Sequence, residues 1–101
     1  MPIVEVAISV PLNKTFDYQS DSRVPVGVRV KVPFGAKKVI GIVLSNKDKS
    51  EFNKLKSVEE ILDQAPILDK PILDFLFWAA KYYHHPIGEV VLAAMPKNLR
   101  L

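Results

Sequence analysis

The sequence predicts an α+β domain in which a small β-barrel is followed by C-terminal helices. Apolar residues alternate with polar ones through the first half of the chain, and after Asp69 the apolar spacing changes to that of a helix. The chain has 101 residues, which is the length of one ordinary domain. We therefore expect a single domain over 1–101, with the barrel part at about 1–64 and the helical part at about 69–96.

The first two strands are indicated by short runs of β-forming residues. Period-2 spacing predicts the first strand. Its buried face would carry Val4, Val6, Ile8 and Val10. Pro11 ends this strand, because proline has no N–H to donate to a neighbour. Residues 15–18 predict a second, shorter strand.

A run of alternating valines predicts the next strand. The valines are Val24, Val26, Val28, Val30 and Val32. They would turn to the core and display Arg29 and Lys31 on the other face. A turn at 34–38 leads into 39–44, where both faces are apolar except at Gly41. That strand should be central, and Gly41 should mark a bulge or a sharp bend.

The barrel part ends in two segments of different character. Residues 45–53 are polar and mostly charged, which predicts a solvated loop. Residues 54–63 fit either a helix or a strand with one wet face. Periodicity alone does not decide between these two alternatives.

Two helices are predicted at the C-terminal end. Asp69 suits the N-cap of the first helix and Pro71 its first turn, while Pro86 limits its length. One side of this helix is apolar and carries Ile72, Phe75, Leu76, Ala79 and Tyr83. A second, short helix is predicted over about 87–95.

Composition excludes several classes of protein. Apolar residues make up 49% and charged residues 25%, which is typical of a soluble globular domain. The absence of cysteine excludes disulfides and thiolate metal sites. No apolar run has the length of a membrane helix, and the N-terminus lacks the basic segment of a signal peptide. We expect a cytoplasmic protein with no membrane partner.

Motifs for catalysis and metal binding are absent from the sequence. No glycine stands in a phosphate-binding loop, and no serine lies in a nucleophile elbow. His84 and His85 would point about 100° apart on a helix, so they do not converge on one ion. We expect this chain to have no catalytic residue, no metal site and no cofactor.

The net charge of +3 is small but unevenly distributed. The stretch from Arg23 to Lys49 holds seven basic residues and one acid. Such a cluster is typical of a polyanion site, although lysines on hairpins also keep sheet edges soluble. The same half of the chain contains the aromatic residues Phe16, Tyr18, Phe34 and Phe52. Each of these rings can stack on a base or pack in the core.

The helical end supports a second class, a protein-interaction module. Phe77 and Trp78 flank a polar stripe of the first helix. The stripe consists of Lys70, Asp74, Lys81 and His85. An indole beside a polar stripe is either half-covered by its neighbours or an anchor for a partner. We interpret Trp78 as locally packed and keep the anchor as the alternative.

Four motifs resemble those of a known family. Residues 11–18 read PLNKTFDY, 29–35 read RVKVPFG, 41–43 read GIV and 78–90 read WAAKYYHHPIGEV. In this order, and over essentially the whole chain, they resemble the N-terminal domain of the PriA family, the bacterial primosomal protein N′.

The resemblance implies a fold and a function. PriA proteins are superfamily 2 helicases that recognise arrested replication forks and reload the replisome. Their N-terminal domain is the 3′ DNA-binding domain, a small barrel related to a circularly permuted OB-fold. This fold favours a strand over 55–62. The ATP-dependent 3′–5′ motor, with its ATP and magnesium, and the zinc-binding cysteines would lie outside this chain.

The resemblance also implies partners and a location. DNA with a free 3′-OH end, and forked DNA in particular, would be the ligand. The helicase domains of the parent chain, other primosome proteins and single-strand-binding protein would be protein partners. The location would be the bacterial cytoplasm, at replication forks in the nucleoid.

The family's pocket for the 3′ end matches Phe16, Asp17, Tyr18, Gly35 and Lys56. We expect the carboxylate of Asp17 to accept the 3′ hydroxyl and to repel a further phosphate. Gly35 would let the backbone approach a base edge without selecting a base. Phe16 and Tyr18 are expected to point opposite ways, so that one ring faces the terminal base. Further candidate phosphate contacts are Arg29, Lys31, Lys37 and Lys38.

Overall fold

The strands and helices are given by a computed structural model that describes residues 2–48 and 55–95. These residues form strands β1 (Ile3–Ile8), β2 (Phe16–Gln19), β3 (Arg29–Phe34), β4 (Lys37–Lys47) and β5 (Glu60–Ile61), and helices α1 (Lys70–Tyr82) and α2 (Ile87–Ala93). The strands make one antiparallel sheet in the order β2-β1-β4-β3-β5. The predicted order, strands first and helices last, is confirmed.

The segment 56–62 closes the sheet into a barrel. On one side it bonds to β3, where the N–H of Glu59 donates to the carbonyl of Lys31 at 2.8 Å. On the other side it bonds to β2, whose Gln19 N–H donates to the carbonyl of Lys56 at 2.9 Å. Because one extended segment joins both edges, the sheet wraps around a common interior. The strand alternative for this segment is therefore correct.

The barrel interior is filled by the alternating apolar residues of the strand half. The buried members are Val4, Val6, Ile8, Tyr18, Val24, Val28, Val30, Val32 and Val43. The predicted valine face is confirmed except at Val26, which packs against the helical side. The strand itself starts later than predicted, at Arg29. Before it, the N–H of Gly27 still donates to the carbonyl of Val43 in β4, while the carbonyl of Gly27 accepts from the N–H of Ile67.

Strand β4 is central, as predicted, but longer than predicted. It lies between β1 and β3 and includes 45–47, which the sequence predicts as loop. These polar residues are strand because they pair with residues 3–5 of β1. The bulge predicted at Gly41 lies instead at Leu44, the residue skipped where the register with β1 shifts.

The two helices cover the outer face of β1 and β4. The apolar cluster there consists of Ala7, Ile42, Leu44, Leu68, Leu73, Ala80, Ile87, Val91, Leu92 and Met95. The two central strands are thus apolar on both faces. Helix α2 approaches β1 closely at Gly88, where a Cβ would lie 1.7 Å from the carbonyl oxygen of Ile8.

Both helices begin where the sequence predicts. The carboxylate of Asp69 caps α1 by accepting the N–H of Ile72 at 3.0 Å. Helix α2 follows Pro86 directly and ends at Ala93, two residues before its predicted end. Among the described residues, neither helix has the length and apolarity to cross a membrane.

The prediction of which side of α1 is buried is wrong in part. Leu73 and Ala80 are the buried residues of this helix. Ile72, Phe75 and Tyr83 are 43%, 61% and 70% exposed. Apolar residues lie around most of the helix, so spacing alone does not identify the side that meets the barrel.

Candidate nucleic-acid interface

A shallow pocket of about 240 Å³ opens where β2, the β3–β4 turn and the start of the closing segment meet. Its lining consists of Lys14, Thr15, Phe16, Asp17, Tyr18, Pro33, Phe34, Gly35, Leu55 and Lys56. All five residues assigned to the 3′ end by the sequence resemblance belong to this lining. The fold thus brings three separate segments to one place, while their contact with DNA stays a prediction.

The two aromatic rings of β2 project to the same side of the strand. Tyr18 is 5% exposed, and its hydroxyl donates to the carbonyl of Pro33 at 2.7 Å. Burial raises the pKa of this phenol. Phe16 is half-buried and meets Phe34 edge to face, with 5.0 Å between ring centroids. The expectation that the rings point opposite ways is wrong, because residues two apart in a strand share a face.

The turn between β3 and β4 leaves one wall of the pocket open. Phe34 pairs with Lys37, so the turn consists of Gly35 and Ala36. Gly35 has a φ of 62°, in the left-handed region that favours glycine. A Cβ at this position would have no neighbour within 4 Å beyond the adjacent residues. The backbone here favours glycine for its conformation and is accessible to a ligand.

The lining contains two lysines, of which sequence analysis named one. Lys56 is held beside β2 because its carbonyl accepts the N–H of Gln19. The Nζ of Lys14 lies 5.0 Å from the centroid of the Phe16 ring, within cation–π distance. Lys14 lies outside the basic stretch of the sequence and was missed there. Its position directly before the TFDY run was the available signal.

The four further candidate phosphate contacts do not line this pocket. Lys31 and Lys38 line a separate groove beside α2, together with Glu60 and Glu89. Lys37 is exposed next to the β3–β4 turn. Lys31 and Lys38 are close in sequence to the pocket residues but line another surface. Their contact with DNA stays a prediction.

Arg29, the fourth candidate, is engaged in the wall of the barrel. Its guanidinium forms a bidentate ion pair with Asp63, with Nη2 and Oδ1 2.8 Å apart. Its backbone N–H donates to the same carboxylate at 2.9 Å. Hydrogen bonds from Arg29 lower the pKa of Asp63, and the carboxylate raises the pKa of Arg29. This pair joins β3 to the end of the closing segment.

A polar cluster lies on the opposite face of β2 from the two rings. It consists of Glu5, Thr15, Asp17, Ser45 and Lys47. The side chain of Asp17 is 8% exposed, and its Oδ1 lies 2.9 Å from the Nζ of Lys47. Glu5 accepts hydrogen bonds from the hydroxyls of Thr15 and Ser45. Lys47 is not predicted from the sequence, because its polar surroundings predict a loop rather than the end of β4.

A row of exposed rings, the aromatic row, lies on α1 and consists of Phe75, Trp78 and Tyr82. Ring centroids are 5.9 Å apart for the first pair and 5.1 Å for the second. Trp78 nevertheless stays 55% exposed. Local packing therefore covers less than half of the indole. The exposed part leaves room for the alternative in which Trp78 anchors a partner.

These features define a class: a small barrel domain that binds nucleic acid, with a shallow aromatic pocket flanked by cations. The sequence profile of the PriA 3′ DNA-binding domain (3′BD) matches residues 5–96. The chain belongs to this family.

Relatives of this chain are named replication restart protein PriA. The chain is 42% identical to the protein of Haemophilus influenzae over 104 residues, and 35% identical to that of Buchnera aphidicola subsp. Schizaphis graminum over 104 residues. It is 29% identical to that of Treponema pallidum over 109 residues. These matches cover 99%, 99% and 98% of this chain, but 14%, 14% and 17% of the relatives.

Proposed function

We propose that this domain binds the free 3′-OH end of DNA in the pocket beside β2 and accepts any terminal base. Its physiological ligand would be the 3′ end of the nascent leading strand at an arrested replication fork. The observation that carries the proposal is that Phe16, Asp17, Tyr18, Gly35 and Lys56 all line one pocket, at whose edge the carboxylate of Asp17 turns away from the two rings and toward Lys47. The family's description and the relatives' name support a role in replication restart.

Different parts of the terminal nucleotide would be bound by an aromatic ring, an exposed backbone segment and two lysines. Phe16 is the more exposed ring and would stack on the base, while the hydrogen bond to Pro33 keeps Tyr18 in the pocket floor. The open backbone at Gly35 would meet a base edge. Lys14 and Lys56 would contact phosphates, which carry no sequence information. This combination suits binding without base preference.

Asp17 would distinguish an end from the interior of a strand. A 3′ end carries a hydroxyl donor, whereas an internal nucleotide carries a phosphate at the same position. A carboxylate that is 8% exposed accepts a small donor more readily than it admits a phosphate. Its charge also repels the phosphate. The carboxylate of Asp17 would therefore both attract the 3′ hydroxyl of an end and exclude the phosphate of an internal nucleotide.

The domain would be one part of a longer helicase, since the chain spans 14% of the Haemophilus influenzae protein. In this proposal the ATP- and magnesium-dependent motor and the zinc-binding cysteines lie in the remaining part. The helicase domains, other primosome proteins and single-strand-binding protein would be partners of the whole protein.

Fluorescence anisotropy tests the end-binding proposal with oligonucleotides that have a 3′ hydroxyl, a 3′ phosphate or no accessible end. Asp17→Ala should weaken binding to the 3′-OH end by about 1–3 kcal/mol, the strength of a charge-assisted hydrogen bond. Asp74→Ala is the matched control, because Asp74 also pairs with a lysine but lies on α1. Equal affinity of the unmodified domain for all three oligonucleotides would contradict the end-binding proposal.

A second candidate function, a protein-interaction module, is favoured by the aromatic row. Large exposed rings are typical anchors of protein interfaces. The partner would be the helicase domains of the parent chain or a primosome protein. A salt titration separates the two functions, because phosphate binding weakens steeply with salt and an apolar contact does not. One domain can perform both, since the pocket and the row lie on different elements.

A further inference from the structure

The ion pair between Asp17 and Lys47 bears on how the domain distinguishes a 3′-OH end from a 3′-phosphate end. Lys47 is the last residue of β4, and β1 lies between β4 and β2 in the sheet. Its ammonium therefore reaches across β1 to place Nζ 2.9 Å from the Oδ1 of Asp17. The lysine side chain is 38% exposed and the aspartate 8% exposed. A ligand that approaches the carboxylate from solvent thus meets the lysine as well.

In the described part of the chain, the polar cluster contains two carboxylates, Glu5 and Asp17, and the ammonium of Lys47. Glu5 and Asp17 are direct neighbours in the β1–β2 register. Both oxygens of Glu5 accept hydroxyl hydrogen bonds, from Thr15 and Ser45, which do not change its charge. Among the described residues, Lys47 is the cation that pairs with a carboxylate of this cluster and offsets part of its negative charge. Without it, two carboxylates would act on the position where a 3′ phosphate would sit.

We infer that Lys47 sets how strongly this domain rejects a 3′-phosphorylated end. The inference rests on the proposed function, in which Asp17 accepts the 3′ hydroxyl. Lys47 is a positioning residue for the carboxylate, and its charge attracts the phosphate that the carboxylate repels. The hydroxyl is neutral and gains little from the same charge. Lys47 therefore reduces the difference between the affinity for a 3′-OH end and the affinity for a 3′-phosphate end.

The test compares variants by the ratio of the Kd for a 3′-phosphate oligonucleotide to the Kd for its 3′-OH counterpart. Lys47→Gln should raise this ratio about threefold to tenfold, the effect of one partly screened charge. Lys47→Arg keeps the charge and should keep the ratio. Lys70→Gln removes a lysine that pairs with Asp74 on α1 and should also leave the ratio unchanged. The rise for Lys47→Gln should shrink as salt is added.

Each outcome decides one of the two claims. A ratio for Lys47→Gln that is unchanged or lower, in a domain that still prefers the 3′-OH end, overturns the role of Lys47 alone. A rise that Lys47→Arg reproduces also overturns it, because the effect would then come from packing rather than charge. A ratio near one in the unmodified domain, with equal binding to internal DNA, overturns end recognition itself. Thermal melts of each variant verify that the folded domain is compared.

Discussion

Among the described residues, which do not include Phe52, aromatic rings reach the surface in two regions under opposite constraints. In the pocket, Phe16 is half-buried against Phe34, and Tyr18 is fixed by a hydrogen bond to the backbone of Pro33. On α1, the rings of the aromatic row contact one another and stay at least 55% exposed. The first region is built into the barrel core, whereas the second lies on the helix surface.

The difference separates two kinds of recognition. Side chains held by a core lose little further freedom on binding, so the pocket is preorganised for a small ligand of defined shape. Side chains of the row must be ordered by whatever covers them, but they offer a larger apolar area. A terminal nucleotide suits the first region and a protein surface suits the second.

Gly88→Ala should have the largest effect on stability, because it disrupts the packing of α2 against β1, which joins the helical part to the barrel. A Cβ at this position would lie 1.7 Å from the carbonyl oxygen of Ile8, and this backbone cannot move without shifting α2 or β1. The free energy of unfolding should fall by about 3 kcal/mol or more, at the upper end of overpacking effects. Urea denaturation followed by circular dichroism measures this change.

Gly35→Ala is the matched control for that experiment. It strains a backbone with a φ of 62° but places its methyl group in open space. Its cost should be about 1 kcal/mol, the strain of a left-handed residue. Equal losses for the two glycine variants would mean that α2 does not lie against β1 as closely as described.

Asp63→Asn tests the barrel side of the comparison, because it weakens the ion pair that joins the start of β3 to the end of the closing segment. The variant loses the charge of a carboxylate that accepts hydrogen bonds from both the side chain and the backbone of Arg29. It should lower the free energy of unfolding by about 1–3 kcal/mol at pH 7. The measurement is urea denaturation of both proteins.

The same pair gives this effect a pH dependence. The pKa of Asp63 is lower in the folded state than in the unfolded chain. Its stabilisation is therefore complete above the unfolded value of about 4 and is lost as the pH falls through the folded value. The difference between wild type and Asp63→Asn should shrink toward pH 3. A difference that stays constant between pH 7 and pH 3 would contradict the ion pair.

The fold could be predicted from sequence wherever one face of an element is buried. Period-2 spacing identified the barrel interior, since Val28, Val30 and Val32 are all buried. The same reasoning fails for α1, where Ile72 and Phe75 are apolar and yet exposed. It also fails at 45–47, which are polar but become strand through pairing with a distant segment. Long-range partners are not visible in local periodicity.

The site was predictable as a set of residues but not as a geometry. The motif resemblance named five of the residues that line the pocket, from three segments, and their contact with DNA stays a prediction. It did not identify Lys14 or Lys47, because their roles depend on which side chains the sheet places beside Phe16 and Asp17. Charge clustering pointed to Lys31 and Lys38, which line another groove. Proximity in sequence is a poor guide to proximity around a barrel.

Trp78→Ala should have the smallest effect and tests whether the two regions act independently. More than half of the indole is exposed, so its removal should change the free energy of unfolding by less than about 1 kcal/mol. Trp78 lies outside the lining of the pocket, although it lines a neighbouring groove together with Lys14 and Thr15. If the two regions act independently, the affinity for a 3′-OH oligonucleotide should stay within about twofold. Leu73→Ala is the contrasting variant on the same helix, since Leu73 is buried and its truncation should cost about 2–5 kcal/mol. If Trp78→Ala instead abolishes end binding in a folded domain, the row belongs to the DNA site, and the assignment of separate ligands to pocket and row is wrong.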